Sequence, residues 1–252
     1  MNKQTKIFMW TTARCLSTVI ERPFLQKSNI KVVHEPFSNA YYFGPEKTSN
    51  RYDHEDKWKN ETYQNISNKL QQKYDGYDTV FIKDMAYNIK KQYNLISNGF
   101  VHTFLIRNPL KVGQSLNKLI STSNDPHISF FDPIEMSFDA IYDLYKYVTD
   151  VLKQPSIIID ADDVLNNPQH ILSMYCNKVG IEFTDNMLTW EATLPNPDWL
   201  VWEGWHDDAI SCTGFRKPGE NTKTIDDLPS EIKQCVIQQM PYYEKLYALR
   251  LQ

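Results

Sequence analysis

The chain has 252 residues, a formal net charge of −4 and a hydrophobic fraction of 41%. This length suits one large α/β domain or two small ones, and the ordinary composition excludes a disordered or fibrous chain. The acidic balance argues against nucleic acid as a bulk partner, because no basic patch dominates the sequence. No apolar run approaches the roughly 18–20 residues of a membrane-spanning helix, so we expect no membrane partner.

Short apolar runs alternate along the chain with helical patterns. Strands are predicted at residues 7–10, 31–34, 79–82, 101–106 and 157–159. Helices are predicted at residues 16–25, 109–121, 136–152, 168–180 and 229–249, and within residues 55–74. This alternation indicates an α/β fold in which one parallel sheet carries helices on both faces. Because no repeat or linker interrupts it, we expect a single domain over residues 1–252.

Two less regular stretches are predicted to lie over a binding site. Residues 41–75 begin as a polar, Tyr-rich surface loop and continue into a helix, as a variable lid over a substrate does. Residues 181–228 are rich in Pro and Trp and lack periodicity. We expect this second stretch to cover the acceptor and the cofactor.

The four cysteines (Cys15, Cys176, Cys212 and Cys235) lie far apart and form no CxxC pair. Such spacing is typical of reduced thiols and not of a disulfide framework or a zinc site. The N-terminal residues show no signal-peptide pattern. We therefore expect a cytoplasmic protein without a metal centre.

The first strand leads through small polar residues into a helix that begins near Arg14-Cys15-Leu16-Ser17-Thr18. A strand that turns into a helix N-terminus directs unpaired N–H groups and the positive end of the helix dipole at one place, which binds phosphate. Residues 10–18 contain no glycine, so they do not match the GxxxxGK[ST] loop of nucleotide triphosphatases.

Two further motifs carry basic residues. The fourth strand ends on Arg107, and the segment RNPLKVGQS places Ser115 on the following helix. Late in the chain, residues 214–219 read GFRKPG and contain Arg216 and Lys217. Because the carboxyl ends of parallel strands meet at one edge of a sheet, we expect Arg14, Glu35, Lys83 and Arg107 at the same edge.

The three motifs, in this order, resemble those of the PAPS-dependent sulfotransferases (PAPS is 3′-phosphoadenosine 5′-phosphosulfate). The resemblance covers residues 7–219 and implies a P-loop-like sulfotransferase fold of a divergent, prokaryote-like branch. It implies that Arg14, Cys15, Leu16, Ser17 and Thr18 hold the 5′-phosphosulfate, with arginine where many members carry lysine. Arg107 and Ser115 would hold the 3′-phosphate, over which Arg216 and Lys217 would fold. Pro218 departs from the family's Arg-Lys-Gly loop.

The resemblance also suggests the groups that perform the transfer. Arg14 and Lys83 are expected to stabilise the charge that develops on the leaving group. Many members carry a histidine just after the third-strand lysine, whereas this chain reads Lys83-Asp84-Met85. Glu35, after the second strand, resembles the base of other branches and is our first choice, with His34 and Asp84 as alternatives. Period-two alternation predicts His34 and Glu35 on opposite sides of the strand.

The reaction implied is sulfonate transfer from PAPS to a hydroxyl or amine of a small-molecule acceptor, with PAP as product and no metal. Trp199, Trp202, Trp205 and His206 are predicted to line the acceptor pocket, which suits a polar or cationic natural product. Two alternatives stay open: a Mg²⁺-dependent nucleotide kinase, and a non-catalytic domain that binds PAP or another nucleotide. The acceptor's identity and the oligomeric state are left open by the sequence.

Overall fold

The computed structural model describes residues 4–53, 55–90, 92–217 and 224–252. Five strands form one parallel sheet in the order β2-β3-β1-β4-β5. They are β1 (Thr5–Thr11), β2 (Ile30–His34), β3 (Thr79–Met85), β4 (Val101–Ile106) and β5 (Ile157–Asp160). From β1 the chain passes to the edge strand β2, returns to β3 beside β1, and then crosses to β4 and β5, so its topological switch point lies beside β1.

The helices in the described ranges are α1 (Ser17–Leu25), α2 (Pro36–Tyr42), α3 (Tyr63–Gln71), α4 (Pro109–Thr122), α5 (Phe138–Lys146), α6 (Ala161–Asn166), α7 (Pro168–Val179), α8 (Asp207–Ser211) and α9 (Ser230–Tyr247). Short 3₁₀ turns connect several of them, and α5 continues into a π-helical turn at Tyr147–Val151. Among these helices, none has both the length and the apolar composition required to cross a bilayer.

One face of the sheet is covered by α1 and α7. Phe24 of α1 stacks on Phe81 of β3 with ring centroids 3.8 Å apart. Tyr175 of α7 shares a hydrogen bond with Thr103 of β4 over 2.9 Å between their hydroxyl oxygens. All four side chains are buried, so this face joins both halves of the sheet to one helical layer.

The opposite face is covered by α2, α5 and α9. Phe37 of α2 lies 6.2 Å from Phe8 of β1 between ring centroids, and Tyr145 of α5 contacts Phe104 of β4 edge-on. Helices therefore lie on both faces, and the α/β fold predicted from the sequence is confirmed. Because both faces are covered, most residues of the five strands are buried, whichever face they point to.

The structure differs from the sequence prediction in three helical regions. Helix α2, which the sequence did not predict, begins at Pro36, and proline fits a first helical turn because its missing N–H costs nothing there. In the stretch predicted to hold a helix within residues 55–74, only Tyr63–Gln71 is helical. The helix predicted at residues 136–152 begins at Phe138 and changes from α-helical to π-helical geometry at Tyr147. The Tyr-rich loop after α2 is not wholly on the surface, because Arg51 and Tyr52 are buried.

Candidate active site

A cavity of about 620 Å³ opens at the carboxyl edge of the sheet. The β1–α1 loop, helix α4 and residues 202–209 contribute most of its described lining, and Glu35 reaches it from the end of β2. Ligands of open α/β sheets bind at this edge beside a switch point. The cavity therefore lies where the phosphate-binding motifs were expected.

The β1–α1 loop makes its turn without glycine. Arg14 and Leu16 adopt left-handed backbone conformations with φ of 60° and 62°. A non-glycine residue in this region costs on the order of 1–3 kcal/mol, so surrounding contacts must hold the loop. The main-chain oxygen of Glu135 accepts hydrogen bonds from Ala13 N at 3.2 Å and Thr12 Oγ1 at 2.7 Å. These bonds fix the entrance to α1.

Ser17 and Thr18 begin helix α1 and line the cavity. The first N–H groups of a helix have no acceptor within it, so they are available to an anion together with the two hydroxyls. Cys15 precedes them but points into the core, where burial raises the pKa of its thiol to about 12. Cys15 therefore offers only its main chain.

The first and second motifs are in direct contact. Arg107 Nη1 donates a hydrogen bond to the main-chain oxygen of Arg14 over 3.1 Å. Arg14 Nε in turn donates to Ser115 Oγ over 3.0 Å, and its Nη1 donates to the main-chain oxygen of Trp205 over 2.8 Å. All four residues line the cavity. The structure thus brings together the Arg14, Arg107 and Ser115 predicted from the sequence.

Arg107 also retains an unused donor. Its Nε is buried and has no hydrogen-bond partner among the described residues, since the nearest carboxylate oxygen, Asp162 Oδ1, is 3.7 Å away. A buried donor without a partner costs about 1–3 kcal/mol. With Lys111 and Lys118 also on the lining, the donor set fits a phosphate-bearing ligand.

Glu35 and Lys83 form a buried ion pair at the ends of neighbouring strands. Strand β2 ends at His34, and Glu35 then adopts a left-handed conformation with φ of 43°. Alternation therefore stops at Glu35, and its Oε1 lies 3.5 Å from His34 Nε2. The prediction that these two side chains point to opposite sides is wrong for this reason.

Only one member of this ion pair reaches the cavity. Glu35 belongs to the lining, while the side chain of Lys83 is fully buried behind it. Lys83 Nζ lies 3.9 Å from Glu21 Oε1 on its other side. Lys83 therefore supplies counter-charge to two carboxylates.

A hydrogen-bonded chain of four side chains runs from the core to the phosphate-binding loop. His34 Nδ1 lies 2.8 Å from Glu21 Oε2, and His34 Nε2 lies 3.0 Å from His206 Nε2. His206 Nδ1 then lies 3.2 Å from Thr18 Oγ1. Trp199 Nε1 donates to Glu21 Oε2 over 3.0 Å. We call these four residues, Glu21, His34, His206 and Thr18, the Glu21–Thr18 chain.

The sequence analysis missed Glu21. Its signal was present, because Ser17, Ile20, Glu21 and Phe24 form an i, i+3, i+4, i+7 stripe that is buried in the structure. A carboxylate within an apolar stripe must be protonated or paired. Burial raises the pKa of Glu21 to about 7 and, with Lys83 nearby, lowers the pKa of His34 to about 3. The pKa of His206 is also lowered, mainly by burial and to a smaller extent by the neighbouring His34.

Asp84, the alternative base, lies on the other face of the sheet from Lys83. Its Oδ1 accepts hydrogen bonds from Ser38 Oγ at 3.1 Å, Asn88 Nδ2 at 2.9 Å and Met85 N at 2.7 Å, and its Oδ2 accepts from Phe37 N. It is fully buried and is not among the described residues that line the cavity. Asp84 therefore anchors the start of helix α2.

The other half of the cavity is walled by aromatic residues and by a second buried ion pair. Arg51 Nε lies 2.7 Å from Glu135 Oε1, and Arg51 Nη2 donates to Glu135 Oε2 over 2.9 Å. Tyr42, Tyr52, Tyr87, Trp202 and Trp205 also line the cavity. The sequence analysis did not identify this pair, because its members are 84 positions apart in unrelated loops.

The third motif lies apart from the other two. Gly214 forms an isolated bridge with Thr189, and Arg216 and Lys217 are exposed and are not among the described residues of the lining. Pro218 and Gly219 fall outside the described residues. Of the predicted acceptor-pocket residues, Trp202, Trp205 and His206 line the cavity, while Trp199 is buried against Glu21.

One cluster within the described ranges has the composition of a metal site. His34, Glu35 and His206 each offer a ligand atom, and these atoms lie within 4.8 Å of one another. The Lys83 ammonium already contacts Glu35 Oε1, and a second cation beside it would be repelled. The prediction that the protein has no metal centre stays a prediction.

Comparison with known proteins identifies the family. The sequence profile of the sulfotransferase domain matches residues 5–249. The chain belongs to the sulfotransferase domain family. This sulfotransferase domain is also similar in structure to a sulfotransferase from Alicyclobacillus acidocaldarius, with a TM-score of 0.56 and 12% identity, over 100% of this chain and 98% of that one. At that identity the likeness concerns the fold alone.

Two curated relatives of the sulfotransferase domain come from Arabidopsis thaliana. They are branched-chain-amino-acid aminotransferase-like proteins 2 and 1, which are 28% and 26% identical over 91% and 87% of this chain. The sulfotransferase domain spans 40% and 38% of their lengths. Their names therefore describe much longer proteins.

Proposed function

We propose that this domain transfers the sulfonate group of PAPS to a hydroxyl or amine of a small-molecule acceptor and releases PAP. The observation that carries the proposal is the contact between Arg14, Arg107 and Ser115 inside a cavity that also contains Glu35. One anion-binding motif alone suits many ligands. Two such motifs in one cavity suit a ligand with two separate phosphate groups.

PAPS, when bound, supplies an activated sulfonate and a phosphate leaving group. The main chain of residues 14–18, the hydroxyls of Ser17 and Thr18, and the Arg14 guanidinium bind the phosphosulfate end. Arg107 and Ser115 bind the 3′-phosphate. Arg216 and Lys217 lie outside the described lining, so their role in covering that phosphate stays a prediction. Residues 181–228 cover the acceptor and the cofactor, and residues 41–75 form a lid over the substrate. Both stretches belong to a single domain.

Glu35 is the proposed general base. Glu35 lines the cavity and takes the proton from the acceptor's nucleophilic atom, while Lys83 holds Glu35 in place through their ion pair. This scheme requires no metal ion. Asp84 is a poor alternative, since its carboxylate is occupied by main-chain and side-chain donors around α2.

The acceptor half of the cavity supports a small, polar or cationic acceptor with an aromatic or apolar part. Tyr42, Tyr87 and Trp202 offer ring faces, while the charges of Arg51 and Glu135 are largely satisfied by each other. We further propose a cytoplasmic location, because all four cysteines are free and buried.

Calorimetry with PAP, ATP, GTP and NAD in the presence of EDTA tests the proposal. We expect PAP to bind tightly, ATP and GTP to bind weakly or not at all, and the chelator to have no effect. Tight ATP binding that depends on Mg²⁺ would support the kinase alternative instead. The non-catalytic alternative would be supported if the protein binds PAP but converts no PAPS to PAP with any of a panel of phenols, alcohols and amines.

A further inference from the structure

The Glu21–Thr18 chain connects a fully buried carboxylate with a hydroxyl of the phosphate-binding loop. Its three successive contacts measure 2.8, 3.0 and 3.2 Å, so each is a full hydrogen bond. The two imidazoles meet through their Nε2 atoms, which requires that one of these atoms carries a proton and the other does not. The direction of this central bond therefore decides the direction of the bonds on either side.

In one direction Glu21 is ionised. His34 Nδ1–H then donates to Glu21, His34 Nε2 accepts from His206 Nε2–H, and His206 Nδ1 accepts the hydroxyl proton of Thr18. Thr18 consequently presents only lone pairs to the cavity. A phosphate or sulfonate oxygen placed there would meet an acceptor and not a donor.

In the other direction Glu21 carries a proton. Its Oε1–H donates to His34 Nδ1, His34 Nε2–H donates to His206 Nε2, and His206 Nδ1–H donates to Thr18 Oγ1. The Thr18 hydroxyl proton is then free to point at an anion. The two arrangements differ by one proton taken up from solvent at Glu21 and by the tautomer of each histidine, so protons balance.

We propose that Glu21, acting through His34 and His206, is a positioning residue that turns the Thr18 hydroxyl into a donor toward the bound anion when Glu21 is protonated. This inference rests on the proposed function, because it takes the anion at Thr18 to be that of PAPS or PAP. Trp199 fixes Glu21 by donating to its Oε2, which leaves Oε1 to carry the proton.

The surroundings of the chain favour this assignment. Burial raises the pKa of Glu21 to about 7, so that both arrangements are accessible near neutrality, while the lowered pKa values of both histidines keep their rings neutral. The charged groups that face the chain are Lys83 from β3, Glu35 after β2, Arg14 from the loop before α1 and Asp198 from the 3₁₀ turn Pro197–Trp202.

Nitrogen-15 NMR of the histidine rings tests the tautomers directly. As pH is raised from about 5.5 to 8.5, His34 should change from its Nε2–H to its Nδ1–H form while His206 changes in the opposite sense, with one common midpoint. Saturating PAP should move that midpoint upward. Independent titration, unchanged tautomers, or ring nitrogens bound to zinc with one zinc per chain by elemental analysis would each overturn the inference.

Glu21→Gln is the matched variant, because glutamine donates to His34 permanently and still accepts from Trp199. It should hold the second arrangement at every pH. Calorimetry in two buffers of different ionisation enthalpy should show that PAP binding above pH 7 takes up more protons in the wild type than in the variant, by up to about one per site. Equal proton uptake would contradict the inference.

Different results would reject the proposed function and the role of Glu21. If PAP does not bind the wild type, the proposed function fails. If PAP binds but the histidine tautomers do not respond, only the role of Glu21 fails. Should Glu21→Gln not fold, the wild-type NMR series still decides the question, and Thr18→Val, which should weaken PAP binding while Thr18→Ser restores it, tests the far end of the chain.

Discussion

Arg107 donates a hydrogen bond to the main-chain oxygen of Arg14, 93 positions earlier in the chain, over 3.1 Å. The first of these residues follows β4 and the second follows β1, and the two strands are neighbours in the sheet. The bond therefore ties the two predicted phosphate-binding motifs together at the topological switch point.

Arg107→Ala should weaken PAP binding by about 2 kcal/mol, or roughly thirtyfold, which is the loss expected for a charged hydrogen-bond donor to phosphate. Isothermal calorimetry measures this directly. Lys73→Ala is the matched control, because Lys73 is an exposed cation that pairs with Asp75 and does not line the cavity. Equal PAP affinity in Arg107→Ala and the wild type would remove the second motif from the site.

Glu35→Gln should lower turnover by about 10²–10⁴-fold, as loss of a general base does, and should leave PAP affinity within about twofold. Turnover is measured as PAP released from PAPS with an acceptor found by screening. Asp84→Asn is the control, because it perturbs a buried carboxylate outside the cavity. We expect it to lower the melting temperature while the folded fraction keeps its turnover. A fully active Glu35→Gln would reject Glu35 as the base.

Arg22→Ala should loosen the segment that covers the cavity. The buried Arg22 of α1 donates hydrogen bonds to the main-chain oxygens of Thr193, Ala209 and Ile210 at 2.6–3.0 Å, and each bond from a charged donor stabilises by about 1.5–3 kcal/mol. Hydrogen exchange in residues 191–212 should accelerate, while that of the β-sheet changes much less. Arg22→Lys should recover only part of the protection, since one ammonium cannot reproduce the fork of the guanidinium.

Glu21 should make the free energy of unfolding depend on pH. Its folded pKa of about 7 lies above its ordinary value of 4.5, so its contribution is fully present below about pH 4.5 and is lost as pH rises through 7. Relative to Glu21→Gln, the wild type should lose about 3 kcal/mol across this window. Urea denaturation of both proteins at several pH values measures the difference, and parallel curves would show that Glu21 titrates normally in the fold.

The sequence predicted the sheet well because each of its strands contains a short run rich in apolar residues, as strands covered on both faces do. It also placed Arg14 and Arg107 at one edge of the sheet, because residues at the carboxyl ends of adjacent parallel strands must meet. The predicted ends of strands and helices were less accurate where the same residue type can interrupt a strand or begin a helix. Pro36 lies just beyond the end of β2 and begins α2.

The remaining parts of the site depend on contacts that no local pattern encodes. His206 reaches Thr18 from 188 positions away, and Arg51 meets Glu135 from a loop that resembles an exposed linker in composition. Period-two alternation misplaced Glu35, because alternation holds only while the backbone stays extended. The left-handed turn at Glu35 is a single-residue event that a non-glycine residue does not reveal in the sequence.

The attachment of the covering segment to Arg22 has a consequence for how such a domain acquires new substrates. Arg22 donates its hydrogen bonds to main-chain carbonyl oxygens, which every residue has, so these bonds do not depend on the side chains of those residues. Apart from Trp199 and His206, which contact Glu21 and Thr18 respectively, residues 193–210 can therefore exchange their side chains. The shape presented to an acceptor changes with them, while the same helix continues to hold the segment in place.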